Sequence, residues 1–123
     1  MPRFVVLEHV FQGIHWDFML EVGAALRTWA IDLPIEPGLD LPARSLPDHR
    51  LAYLDYEGPV SGDRGSVRAL ARGTYAVRRW SDDSVVVDLE GATFSGTVTL
   101  RRAETRTALG SLDSWTFRLG NFS

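Results

Sequence analysis

The sequence predicts an all-β protein folded as a small single-domain β-barrel. Residues with high β-propensity occur in short segments, and several of these segments alternate apolar and polar side chains. Turn-forming residues separate the segments at short intervals, and no amphipathic helical stripe of about ten residues is present. The chain has 123 residues, of which 45% are hydrophobic and 24% charged, so we expect one domain over residues 1–123. Many short strands in one domain are typical of barrels and sandwiches.

Nine segments carry the strand pattern. They are residues 3–9, 14–22, 25–31, 51–57, 66–71, 73–80, 84–90, 92–102 and 114–119. The longest stretch between them, residues 33–48, contains four prolines, at 34, 37, 42 and 47. Because proline donates no backbone hydrogen bond and fixes φ, we predict an ordered surface loop here, or a short helical turn.

The clearest strand covers residues 14–22, where successive side chains point to opposite faces. One face is wholly apolar and consists of Ile14, Trp16, Phe18, Leu20 and Val22. We predict that this face is buried in the core. The other face consists of His15, Asp17, Met19 and Glu21.

A predicted hairpin places two histidines together. If the turn between residues 3–9 and 14–22 is centred near Gln12, His9 lies directly opposite His15, with Cβ atoms about 4.5–5.5 Å apart. Asp17 then follows one step further along the same face. Two imidazoles and a carboxylate are a typical ligand set for divalent zinc, manganese, iron, nickel or copper. The alternative is a polar strand face in solvent, whose histidines bind nothing.

Further candidates lie in the middle of the chain. His49 and Tyr53 share a face if a strand begins by residue 49; the alternative is a histidine at a loop end and a tyrosine that only packs. Arg64, Arg68 and Arg72 recur every four residues, which places them on one face of a strand or helix, where they could bind a nucleic-acid backbone. The alternative is a solvated β face, which the net charge of −3 favours.

The composition limits the classes of function. The chain contains no cysteine, which excludes disulfides and thiolate metal sites. No apolar run reaches the roughly 18–20 residues that span a bilayer, and no signal peptide is evident, so we expect a cytoplasmic protein with no membrane contact. Because the net charge is negative, nucleic acid would have to bind at a local patch.

The motifs and their order resemble the 3′-phosphoesterase domain of bacterial DNA ligase D. The specific element is His9 followed by Ile14-His15-Trp16-Asp17-Phe18-Met19-Leu20-Glu21, which is similar to the family pattern H-x5-H-x-D-F-x-L-E. Weaker matches follow in the family's order. They are Thr28-Trp29-Ala30-Ile31, Asp48-His49 through Tyr53 to Glu57-Gly58, Gly73-Thr74-Tyr75 and Trp115-Thr116-Phe117-Arg118-Leu119.

The resemblance implies a small β-barrel that holds a divalent metal, manganese in most members, with zinc or cobalt as alternatives. It implies a metal-dependent phosphoesterase that removes a terminal ribonucleoside and then the 3′-phosphate from DNA or DNA/RNA junctions. Such an enzyme works in end-joining repair, beside a ligase or other end-joining proteins. By position, the metal ligands would be His9, His15 and Asp17, and His49 and Tyr53 would face the scissile phosphate.

Several departures from the family pattern support a second interpretation. Met19 stands where the family has the arginine of D-F-R-L-E, Leu33 matches a family lysine, and Leu41 aligns with a further arginine. Loss of such phosphate contacts predicts weak activity or a changed substrate, because one donor aimed at developing charge contributes roughly 10²–10³ in rate. In the alternative, the chain is a non-catalytic module that binds metal or nucleic acid. The retained His49 and Tyr53 favour the enzyme.

Overall fold

Antiparallel strands form most of the chain, as the sequence predicts. A computed structural model describes residues 1–108 and 110–121, with the backbone alone for 104–107 and 110–113. In this part of the chain the strands are β1 (Arg3–Val10), β2 (Ile14–Val22), β3 (Ala25–Ile31), β4 (Asp40–Arg50), β5 (Gly58–Pro59), β6 (Ser66–Trp80), β7 (Ser84–Gly91), β8 (Gly96–Thr107) and β9 (Gly110–Gly120). A short 3₁₀ helix covers Leu51–Leu54.

Eight of these strands close into a barrel. Their order is β1-β2-β3-β4-β9-β8-β7-β6, and β6 pairs back onto β1. The two-residue β5 pairs with the start of β6. Closure gives the strands partners on both sides, which removes the exposed sheet edges of an open structure. Among the described residues, no helix has the length and apolar character needed to span a lipid bilayer.

The barrel interior forms the main core. Aromatic rings pack there in edge-to-face pairs, with centroids 5.2 Å apart for Phe18 and Phe117. The core-face prediction for β2 is confirmed at its centre, where Phe18 and Leu20 are fully buried and Trp16 is half-buried. It is wrong at the ends: Ile14 is 53% exposed and Val22 49%. Both lie at the rims, where the barrel provides no further layer of side chains to cover them.

A second apolar cluster, the outer cluster, lies on the outside of β1 and β2. Its buried members are Val5, Leu7, Met19, Leu26, Leu54, Val60 and Val67. Leu54 of the 3₁₀ helix and Val60 of the following segment cover it from outside. This cover explains why β1 carries apolar residues at consecutive positions 4–7, since a strand buried on both faces does not alternate.

Three local predictions differ from the structure. The proline-rich stretch contains the strand β4, and the strand predicted at 51–57 is the 3₁₀ helix and a following turn. Both prolines lie where β4 has no partner residue in β3. Pro42, which pairs with Thr116 of β9, lies beyond the last residue paired with β3, and Pro47 falls in a register shift between β3 and β4. The strands predicted at 66–71 and 73–80 form one continuous β6.

The position of the inner face of β2 relative to the barrel core can be tested with two truncations. Leu20→Ala should lower the free energy of unfolding by about 2–5 kcal/mol, because it leaves a cavity in the barrel core. Val22→Ala, at the exposed rim, should cost less than about 1 kcal/mol. Urea denaturation of both variants measures the difference. Equal losses would contradict the placement of Leu20 inside the barrel and Val22 at its rim.

Candidate functional site

The β1–β2 hairpin opposes His9 and His15 directly, which confirms the predicted register. In the same ladder Leu7 pairs with Asp17. Paired residues of antiparallel strands point to the same face, so His9, His15, Leu7 and Asp17 all lie on the outside of the barrel. The two histidines are partly exposed, whereas the Asp17 side chain is only 4% exposed.

The three side chains bring one donor atom each to a common point. His9 Nδ1 lies 3.2 Å from His15 Nε2 and 3.7 Å from Asp17 Oδ2. His15 Nε2 lies 3.0 Å from Asp17 Oδ1. Donors bound to one ion at about 2.1 Å in tetrahedral or octahedral geometry are about 3.0–3.4 Å apart. The two distances from His15 Nε2 fall in this range, and the distance of 3.7 Å between His9 Nδ1 and Asp17 Oδ2 lies slightly above it, so the cluster is compact enough to hold a single metal ion.

The backbone of the segment before β6 orients the His9 ring. His9 Nε2 donates to the carbonyl oxygen of Arg64 at 2.7 Å, so the neutral ring presents an unprotonated Nδ1 to the cluster. Gly65 makes this approach possible. Its φ is +76°, and a Cβ there would lie 1.8 Å from the carbonyl oxygen of Val10. A larger residue would push the segment away from the hairpin and break the contact with His9.

The buried Asp17 carboxylate lacks a full set of partners. Among the described residues Oδ1 has no hydrogen-bond partner, although His15 Nε2 lies 3.0 Å from it in an ion-pair contact. That side-chain contact with Asp17 raises the pKa of the His15 imidazole, against the opposing effect of burial. A buried carboxylate oxygen without a partner is costly, and a cation between the three donors would satisfy it. The residues present thus fit a divalent ion with nitrogen and oxygen ligands.

A pocket of about 280 Å³ opens beside this cluster, and we call it the metal pocket. Its polar lining includes His9, Asp17, His49, Tyr53 and Arg64. Its apolar lining comes largely from the outer cluster and includes Leu7, Met19, Val60 and Val67. Two of the three candidate ligands, His9 and Asp17, therefore share one cavity with the two candidate catalytic residues, and His15 lies outside its lining.

His49 and Tyr53 meet in this pocket by a route that the sequence did not predict. His49 lies at the end of β4, whereas Tyr53 lies in the 3₁₀ helix and not in the expected strand. Their rings pack edge to face with centroids 5.9 Å apart. His49 Nδ1 lies 2.9 Å from the Pro47 carbonyl oxygen, to which it can only donate. His49 Nε2 is then the ring nitrogen that can exchange a proton.

The three candidate arginines do not share a face. Arg64 precedes β6 and lines the metal pocket. Arg68 pairs with Glu8 and Arg72 with Val5, which lie on opposite faces of β1. A register shift, which leaves Leu70 without a partner in the ladder, reverses the alternation between these two arginines. Arg68 contacts Glu8 at 3.1 Å, and Arg72 donates to the Leu54 carbonyl at 2.8 Å.

The positions that depart from the family pattern have different surroundings. Met19 is 1% exposed and lines the metal pocket, so it contributes an apolar surface there. Leu33 is exposed in the segment between β3 and β4. Leu41 packs in the barrel core. Of these three side chains, Met19 is the one that lines the metal pocket.

An ion pair beside His15 was not predicted. Arg44 holds Asp32 with two contacts, of 2.8 and 3.0 Å, and this hydrogen bonding lowers the pKa of Asp32. Arg44 pairs with Ala30, which in turn pairs with Asp17, so Arg44 lies on the same outer row as the cluster. This ion pair could not be predicted from the sequence, because Asp32 and Arg44 come together only through the pairing of β3 with β4.

Comparison with known proteins identifies similar sequences. The model of the DNA ligase D 3′-phosphoesterase domain matches residues 7–102. The multifunctional non-homologous end joining DNA repair protein LigD of Mycobacterium tuberculosis H37Rv is 34% identical over 108 residues, which cover 80% of this chain. The corresponding protein of Mycobacterium bovis has the same identity and coverage. LigD of Pseudomonas aeruginosa is 33% identical over 60 residues, or 47% of the chain. The matched region is only 14% of the length of the mycobacterial proteins and 7% of the Pseudomonas protein.

The geometry of the cluster leads to a test of metal binding. Titration calorimetry with Mn²⁺ should show one site per chain, and His15→Ala should weaken it at least about tenfold, because one ligand is lost. His49→Ala, which changes the same pocket outside the cluster, should leave the affinity within about twofold. Equal affinities for the wild type and His15→Ala would show that His15 is not a ligand and would contradict the three-residue metal site.

Proposed function

Because the chain belongs to the family of DNA ligase D 3′-phosphoesterase domains, we propose that it is a divalent-metal-dependent phosphoesterase acting on 3′ ends of nucleic acids in DNA end repair. The proposed domain is the whole chain, residues 1–123, and the proposed ion is manganese. The observation that carries the proposal is the cluster of His9, His15 and Asp17, because two of its members, His9 and Asp17, line one pocket with His49 and Tyr53. The proposed substrates are DNA or DNA/RNA ends bearing a 3′-phosphate or a 3′-ribonucleotide.

The cluster would hold the ion through one donor from each residue. A bound divalent ion supplies positive charge against phosphate oxygens and lowers the pKa of a bound water. The carbonyl of Arg64 keeps His9 in the tautomer that presents Nδ1. Asp17 supplies the negative charge that favours a cation at this point, and its burial strengthens that attraction.

His49 and Tyr53 would act on the phosphate itself. In hydrolysis of a 3′-phosphomonoester, water adds to phosphorus, the bond between phosphorus and O3′ breaks, and O3′ gains a proton. Protonated His49 Nε2 donates that proton, and the proton lost by the water returns to His49. The Tyr53 hydroxyl donates to a non-bridging phosphate oxygen and positions the group. The products are inorganic phosphate and a 3′-hydroxyl.

The apolar surface at Met19 supports a second candidate function. A pocket with fewer cationic contacts stabilises the transition state of phosphate hydrolysis less. Loss of such contacts is consistent with a module that binds its ligand without turnover. In that case the chain would bind a metal and a nucleic-acid end without hydrolysing it.

An assay of His49 separates these candidates. With Mn²⁺ and a DNA duplex carrying a 3′-phosphate, the wild type should release inorganic phosphate. His49→Ala should lower kcat by about 10²-fold or more, because proton transfer is lost. A wild type that binds the DNA but releases no phosphate with Mn²⁺, Zn²⁺ or Co²⁺ would establish the binding module instead.

The arginines provide a matched pair of variants. Arg64 donates to the backbone oxygen and the hydroxyl of Ser61, which hold its charge at the pocket wall without neutralising it. Arg64→Ala should raise KM about tenfold, because a charge-assisted contact to phosphate is lost while the backbone carbonyl that orients His9 remains. Arg68→Ala, whose side chain is paired with Glu8, should change KM less than about twofold. Steady-state kinetics on both variants compares the two changes in KM. A larger effect at Arg68 would show that the nucleic acid approaches over another face.

A further inference from the structure

A second cavity of about 380 Å³ lies next to the metal pocket, and we call it the tyrosine pocket. Its lining includes Tyr53, Tyr56, Pro59 and Ser61, and it shares Arg50, Tyr53 and Val60 with the metal pocket. The two cavities are therefore neighbours, so a ligand seated in one can extend towards the other. The metal pocket can hold the phosphate of a ligand, and the tyrosine pocket can hold a neighbouring part of the same ligand.

Two aromatic rings set the shape of this pocket. Tyr53 and Tyr56 pack at 89° with centroids 5.8 Å apart, and Tyr56 is 36% exposed. The Tyr56 hydroxyl donates to the carbonyl oxygen of Pro59. Gly58, between them, has a φ of +134°, and a Cβ there would lie 3.4 Å from the Tyr56 hydroxyl oxygen. The turn therefore holds the Tyr56 ring through both its hydroxyl and its backbone.

The core of the protein does not account for Tyr56. Tyr53 is partly buried and packs against the outer cluster, whereas Tyr56 is 36% exposed and its ring contacts that of Tyr53. A large aromatic side chain that is half in solvent and held in one orientation is suited to stacking against a planar ligand. Nucleobases are such ligands, and stacking on an aromatic ring tolerates every base.

Ring contacts also link the two pockets, because Tyr53, which lines both, contacts His49 of the metal pocket and Tyr56 of the tyrosine pocket. His49 and Tyr53 are 5.9 Å apart and Tyr53 and Tyr56 are 5.8 Å apart, measured between centroids. In a nucleotide the sugar separates the phosphate from the base. A nucleotide whose phosphate lies near His49 can therefore place its base beside Tyr56. Arg50 lies on the boundary shared by both cavities, where its positive charge can meet the next phosphate of the strand.

We propose that the tyrosine pocket binds the base of the terminal 3′ nucleoside, stacked on Tyr56, while the group at its 3′ position enters the metal pocket. This inference rests on the proposed function, since it assigns the substrate's terminal nucleoside to a place beside the same site. It makes Tyr56 a positioning residue that recognises any base and selects no sequence.

Kinetics on a base-free end tests the proposal. The substrates are DNA duplexes with a two-nucleotide 3′ overhang and a 3′-phosphate, whose terminal sugar carries thymine or no base. For the wild type, KM should be about tenfold lower when the base is present, with similar kcat. Tyr56→Ala should remove this difference by raising KM for the thymine end alone. Tyr56→Phe, which keeps the ring, should preserve it.

The base-free substrate is the internal control for folding. If Tyr56→Ala loses activity equally on both ends, Tyr56 supports the structure and the inference is overturned. If the wild type turns over both ends with the same KM, the inference fails while the phosphoesterase stands.

Binding without metal separates the two proposals further. Fluorescence anisotropy of the labelled duplexes in EDTA should show about tenfold tighter binding of the thymine end, lost in Tyr56→Ala and kept in Tyr56→Phe. If that pattern occurs without any turnover, the base site stands and the phosphoesterase fails. If both ends bind equally, the base site is overturned.

Discussion

The register of the β1–β2 hairpin is the constraint on which both the core and the candidate site depend. Side chains alternate strictly along a strand, so a slip of one residue would exchange the two faces of β2. Phe18 and Leu20 would then leave the barrel core, and the cluster of His15 and Asp17 would turn inwards. Apolar burial on both sides of the hairpin opposes that slip, because Phe18 packs inside the barrel and Met19 packs in the outer cluster.

The cover over the outer face turns part of the barrel wall into a pocket. The 3₁₀ helix and the segment before β6 lie over the apolar end of β1 and β2, and the metal pocket opens where this cover stops. The same segment brings the Arg64 carbonyl to His9, and the helix brings Tyr53 to His49. The elements that complete the fold outside the barrel are therefore the ones that assemble the site.

Sequence patterns predicted the parts that depend on neighbouring residues. Alternation in residues 14–22 assigned the faces of β2, and the short turn near Gln12 placed His9 opposite His15. Features that depend on distant strands were missed. The strand β4 was not predicted because its prolines suggested a loop. The register shift at Leu70 places Arg68 and Arg72 on opposite faces. The contact of the Arg64 carbonyl with His9 involves the backbone, which no side-chain pattern reveals. The second apolar face of β1 was a signal for the outer cluster, visible in the apolar run at residues 4–7.

The central claim is that three donors on one hairpin hold one divalent ion. Anomalous diffraction at the manganese edge, from crystals grown with Mn²⁺, tests it most directly. We expect one anomalous peak at about 2.0–2.3 Å from His9 Nδ1, His15 Nε2 and an oxygen of Asp17. A peak at another position, with no density between these three side chains, would contradict it.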